Sequence, residues 1–359
     1  MPMSSSQRAR CEKICSNEFA VRCCLAMIAI LGCSVPVVQA QSQATGDFYD
    51  SGKAALEAKQ YEAAEQAFEQ AETHSPGATN ALALRAKALI HLNRFEEAQR
   101  CLNDYLKIHS ESADAKYLLA YVLFRRDMPR ESLRVYTAAA ALNRPTADDF
   151  KIVGLDYVLL NDNADAVRWL EISVREGPSD AEAVYYLGRA YYVENNFDKA
   201  VAAFERALQL DPQYAKAENN LGLAFAAKNE PALAQAAYRR AIQMGGASRQ
   251  KSDQPYINLA ELLVHTDHQS EALSLLQEAE EIGGKSDHAE ELRGQILLAQ
   301  NQLKDAEAAF RAAVSMKPDN GALHYLLGRV LRREGKVEDA EKEFAQSKAL
   351  TTTQSPTPN

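Results

Sequence analysis

His265 and His268 form the one close histidine pair in the sequence, and metal binding is the chemistry such a pair would serve. A zinc-type site needs three or four ligands. No third ligand stands within reach by sequence, so two solvated turn histidines are expected. Cys11-x3-Cys15 likewise has no answering Cys or His pair nearby. Five of the six cysteines (Cys11, Cys15, Cys23, Cys24, Cys33) precede residue 41, which leaves Cys101 as a small, partly buried apolar residue. Gly-rich phosphate loops and nucleophile elbows are absent from the sequence. Asp and Glu are plentiful but mixed with Lys and Arg, as in Glu341-Lys342-Glu343, which is the pattern of a solvated face. The chain therefore reads as a non-enzyme with no cofactor and no metal. Its remaining chemistry is binding by Tyr, Phe, Arg and Asn, and that depends on the elements presenting them.

With 47% hydrophobic and 25% charged residues, the chain has the composition of a folded protein. Sixteen Gly and twelve Pro in 359 residues are too few for a turn-rich all-β fold. A net charge of −9 argues against a nucleic-acid partner, because phosphate binding needs a basic surface. Residues 1–40 begin with Arg8, Arg10, Lys13 and Arg22, pass through an uncharged stretch from Cys23 to Val38, and end in Val38-Gln39-Ala40. This is the layout of a secretory signal cleaved after Ala40. Ile30-Leu31-Gly32-Cys33 also resembles a bacterial lipoprotein box, which would acylate Cys33. The expected location is thus exported, either periplasmic or secreted, or membrane-anchored if Cys33 carries lipid.

The rest of the chain repeats every thirty-four residues. Units start at Thr45, Thr79, Ala113, Ala147, Ala181 and Ala215; after a slip of four residues they resume at Asp253, Asp287 and Gly321. Position 8 is Gly or Ala in all nine units, position 20 is Ala or Ser, and position 24 is Phe, Tyr or Leu. Apolar positions 4, 7, 8 and 11 mark one face of a first helix, and positions 20, 24 and 27 mark a second. Pro76, Pro178, Pro212 and Pro318 close units at position 32. Arg85 and Arg293 at position 7, and Tyr105 at position 27, depart from the pattern.

These columns resemble the tetratricopeptide repeat (TPR) over about residues 45–354. The longer HEAT repeat fails on the period. The resemblance implies an all-α, right-handed superhelical solenoid of about nine helix-turn-helix units, with first helices on the concave side. The expected organisation is a signal peptide at 1–40, six units over 45–248, and an insertion and hinge at 249–252. Three more units follow over 253–350, and a disordered tail occupies 351–359. Paired Gly245 and Gly246 favour a lengthened loop before Asp253.

In this family positions 2, 5, 9, 12 and 13 face the groove. That places Tyr117, Tyr121, Phe124 and Arg125 there in the third unit, Lys151, Leu155 and Val158 in the fourth, and Tyr185, Arg189 and Tyr192 in the fifth. Asn220 and Asn258, at position 6 of consecutive units, resemble asparagines with which some family members hold a peptide backbone. An amide donates to C=O and accepts from N–H, so it reads backbone irrespective of side chain. The resulting expectation is a noncatalytic exported scaffold binding proteins or peptides, with a role in assembling cell-envelope complexes. The alternative is a substrate-selecting repeat subunit whose catalytic partner is another chain. Membrane contact is expected only through lipid on Cys33, and the oligomeric state is left open.

Overall fold

The structure, a computed structural model, describes residues 47–74, 80–246 and 251–354. The expected leader with Cys33, residues 249–250 of the expected hinge, and the tail beyond 354 lie outside these. The described residues form eighteen α-helices and no strand. Contacts divide the chain into two compact units at Leu160 and Asn161. The first holds α1 (residues 47–57), α2 (Tyr61–His74), α3 (Asn80–His91), α4 (Phe95–Ile108), α5 (Ala113–Arg125), α6 (Pro129–Ala140) and α7 (Ala147–Leu159). The second opens with α8 (Asn163–Glu176), α9 (Ala181–Val193), α10 (Phe197–Leu210), α11 (Ala215–Ala227) and α12 (Pro231–Gly246). It continues with α13 (Gln254–Leu263), α14 (Gln269–Gly283), α15 (Asp287–Ala299), α16 (Leu303–Met316), α17 (Gly321–Arg333) and α18 (Val337–Gln354). Every repeat supplies two helices. In each compact unit successive helices pack on one another, and first helices also touch the first helix of the next repeat, as α9, α11 and α13 do.

In eight of the nine repeats, all but the one starting at Asp253, the turn is set at position 15. Lys59, Asn93, Asp127, Asn161, Asn195, Asn229 and Asn301 adopt left-handed backbone with φ of 58–60°, and Gly335 has φ 81°. Asn tolerates this region because its short side chain bonds locally. Side-chain caps then start many helices. The Thr146 hydroxyl accepts from the Asp149 N–H while the Asp149 carboxylate accepts from the Thr146 N–H.

The repeating columns meet inside each helix pair. A methyl group placed on Gly188 would lie 2.7 Å from the Phe204 ring, and one on Gly222 would lie 2.5 Å from the Tyr238 ring. Phe204 is wholly buried and Tyr238 nearly so. At these positions a glycine leaves the room that the position-24 ring of the same repeat occupies. We expect Gly188→Ala to cost about 1–3 kcal/mol by overpacking, although alanine is intrinsically the better helix former by about 1 kcal/mol. Urea denaturation followed by circular dichroism measures the difference; a gain in stability would refute this account of the packing.

The departures from the pattern find partners. Arg85 meets three carboxylates of α2: Nη2 lies 2.7 Å from Glu65 and 2.6 Å from Glu69, and Nη1 lies 3.1 Å from Glu72. Arg293 meets Glu280 at 2.8 Å and Glu290 at 3.1 Å. Glu72 and Glu280 both stand at position 28 of the preceding repeat, so one ion-pair device occurs twice. Tyr105 stacks on His109 at 4.4 Å between centroids. Cys101 packs among Leu89, Leu102, Leu119 and Leu123, and burial pushes its thiol up to about 11.

Two local expectations differ from the fold. Gly245 and Gly246 lie within α12 rather than in a loop, since extending a formed helix adds a hydrogen bond without a new nucleus. α18 runs on to Gln354, and the Thr351 and Thr352 hydroxyls donate to the Ser347 and Lys348 carbonyls at 2.8 and 2.7 Å. Among the described residues no helix is long and apolar enough to cross a membrane.

Candidate functional site

In the first compact unit the expected anchors are already engaged within the fold. The Tyr117 hydroxyl donates to the Asn143 carbonyl at 2.7 Å, and its ring meets Tyr136 edge-on. Arg125 donates to the Tyr121 hydroxyl at 2.7 Å and to Asn93 Oδ1 at 3.3 Å, and lies 4.4 Å over the Phe95 ring. It ties α5 to the turn of the preceding repeat. Arg333 repeats this tie, donating to Asn301 Oδ1 at 2.9 Å. Phe124 is half-buried. On α7, Lys151 pairs with Asp148 at 3.3 Å. Leu155 is only 8% exposed, so it serves packing rather than an open groove; Val158 is half-buried.

The second compact unit differs. Tyr185 was expected at the surface but is 6% exposed, its ring covered by Tyr186, Phe204 and Tyr214. Its hydroxyl accepts from Asn220 Nδ2 at 3.2 Å. Asn220 Nδ2 also donates to the Lys216 carbonyl at 2.8 Å, and Asn258 Nδ2 donates to Asn219 Oδ1 at 2.9 Å. Both position-6 asparagines thus reach the position-5 side chain of the preceding repeat, which forms an amide ladder across α9, α11 and α13. Asn220 Oδ1, Asn258 Oδ1 and Asn219 Nδ2 keep no partner among the described residues. Arg189 is exposed beside this ladder, about 6 Å from the Tyr185 and Tyr186 ring centres. The Tyr192 ring lies 5.6 Å from Phe197 at the far end of α9. His265 and His268 are exposed, and the described residues contain no cluster of three or more metal-ligating side chains.

Models of the tetratricopeptide repeat match residues 55–122, 154–215, 189–255 and 292–354, together more than half of the chain. The chain belongs to the tetratricopeptide repeat family. Solved TPR structures share the fold. A tetratricopeptide repeat protein from Parabacteroides merdae has 17% identity, covering 70% of this chain and 98% of its own, with a TM-score of 0.55. The Cut9–Hcn1 hetero-tetramer of the APC/C contains a chain with 13% identity, covering 86% of this chain and 74% of its own, also at 0.55. PilW, a type IV pilus biogenesis factor, has 19% identity, covering 58% and 98% respectively, at 0.52. No curated protein matches the sequence. As in other TPR arrays, the fold is of the kind that holds proteins or peptides.

Reading the repeat positions alone missed Asn219. It stands at position 5, which Tyr117 and Tyr185 occupy in other repeats, and its adjacency to Asn220 is the signal in the sequence.

Proposed function

We propose that this TPR chain is an exported, noncatalytic scaffold that holds an extended peptide segment of another protein along α9, α11 and α13. The amide ladder carries this reading. It orients two asparagines toward the preceding repeat and leaves donor and acceptor atoms for a peptide backbone. The exposed Arg189 supplies a cation beside them, of the kind interfaces favour as anchors. Residues 1–40 support export, and assembly of a cell-envelope complex is the finer reading, in line with PilW being a type IV pilus biogenesis factor.

A photo-reactive residue placed at Arg189 is expected to capture the partner from native cells, and one at Glu205 on the second-helix face of α10 is not. Asn220→Ala with Asn258→Ala should then weaken binding of the captured segment about tenfold, at roughly 0.5–1.5 kcal/mol for each hydrogen bond. Equal capture at both positions, or unchanged affinity in the double variant, would overturn the proposal. A captured catalytic subunit in fixed stoichiometry would instead favour a substrate-selecting role.

A further inference from the structure

Where the repeat period slips, between α12 and α13, the structure contains a cleft of about 440 Å³. Pockets that hold small organic groups fall in the range of about 300–1,000 Å³. Tyr214, Ile242, Met244 and Pro255 supply apolar walls, and Asn219 and Asn220 line the same space. On these two lining residues, Asn219 Nδ2 and Asn220 Oδ1 keep no partner among the described residues. Lys216 and Lys251 also line it; both are exposed, and neither has an ion-pair partner among the described residues. Among the described residues the lining includes no carboxylate, in a chain with 49 acidic and 40 basic residues. An apolar hollow with two unpaired cations is thus set in an otherwise acidic molecule.

We infer that this cleft seats one large apolar side chain of a partner's extended peptide, whose neighbouring Asp or Glu residues pair with Lys216 and Lys251. The inference rests on the peptide-holding reading above and narrows it to one sequence class. The apolar walls take the side chain out of water, while the free amide atoms satisfy the peptide unit that carries it. The lysines select an acidic flank by complementary charge. The occupant is a protein segment rather than a nucleic acid, because two lysines beside an apolar hollow make no phosphate-tracking surface.

The test is to pan a phage-displayed random dodecapeptide library on the full chain and measure the selected peptides by fluorescence anisotropy. The expected peptides share a Phe, Tyr, Leu or Met flanked by Asp or Glu. Replacing that apolar residue with Ala should weaken binding at least tenfold, and so should Lys216→Glu with Lys251→Glu in the protein. Circular dichroism checks that the charge-reversed protein remains folded, and peptides with Lys in place of their acidic residues probe the same contact on unaltered protein. Enrichment of no peptide, selected peptides lacking the acidic-flanked residue, or affinity indifferent to both charge reversals would overturn the inference. Selected peptides that respond only to Arg189→Glu and Asn258→Ala would overturn it while leaving the peptide-holding scaffold in place.

Discussion

Arg85→Ala is expected to lower stability by about 3–5 kcal/mol, the loss seen when one member of a buried ion pair is removed. The Arg85 side chain is 14% exposed, and its partner Glu65 is 7% exposed. Burial already raises the Glu72 carboxyl, while Arg85 opposes that rise. Without the guanidinium, Glu72 loses its cation, and Glu65 keeps only Arg94, whose Nη1 lies 3.4 Å away. The attraction itself need not be a large net gain, because both charges were taken out of water to make it. Replacing Arg85, Glu65 and Glu72 together by Leu should therefore recover most of the loss, because no poorly hydrated carboxylate of the network then remains. Arg293→Ala should cost less, since Lys285 lies 3.8 Å from Glu280 and 3.9 Å from Glu290 and remains to compensate. Urea titration with hydrogen exchange resolved by helix tests all three variants, because repeat arrays need not unfold in one step. An Arg85→Ala protein within 1 kcal/mol of the parent would show that the network adds no stability.

The second large effect depends on pH. Asp156 in α7 is 0% exposed, and neither carboxylate oxygen has a hydrogen-bond partner among the described residues. Burial pushes its carboxyl up to about 7, opposed by the nearby Ser132 hydroxyl, which itself donates to the Ala120 carbonyl. An unfolded aspartate titrates near 3.9. Below about pH 4 the group is protonated in both states and its full contribution to stability is present. As the pH rises toward 7, unfolding releases a proton and that contribution is progressively lost. Three pK units correspond to on the order of 4 kcal/mol. Asp156→Asn should thus match the parent near pH 4 and melt at a higher temperature at pH 8, with the gap opening between. A gap independent of pH would sink this explanation.

The sequence disclosed the architecture because the packing rule is local and repeated. Gly188 and Phe204 lie sixteen residues apart in one helix pair, and the same pairing recurs at Gly222 and Tyr238. The site was less legible. Repeat position says which way a side chain faces, not how deeply its neighbours cover it, so Tyr185 and Leu155 proved buried. Arg125 was readable as an exposed cation, but its commitment to Asn93 and Phe95 depends on a contact thirty residues away. The Arg85 network was partly legible, because a Glu at position 28 precedes an Arg at position 7 in both instances. Asp156 gave no warning, since a lone acidic residue on a first helix is ordinarily solvated.

The left-handed residue at position 15 has a kinetic consequence. Each such turn, as at Asn195, lets two helices meet as neighbours in sequence, so the defining contacts of a repeat close loops of a few tens of residues. Low contact order of this kind favours fast, local nucleation that can begin at any repeat and spread to its neighbours. With Cys101 the one cysteine among the described residues, folding there waits on no disulfide exchange. A chain emerging unfolded could assemble pair by pair, from whichever repeat arrives first.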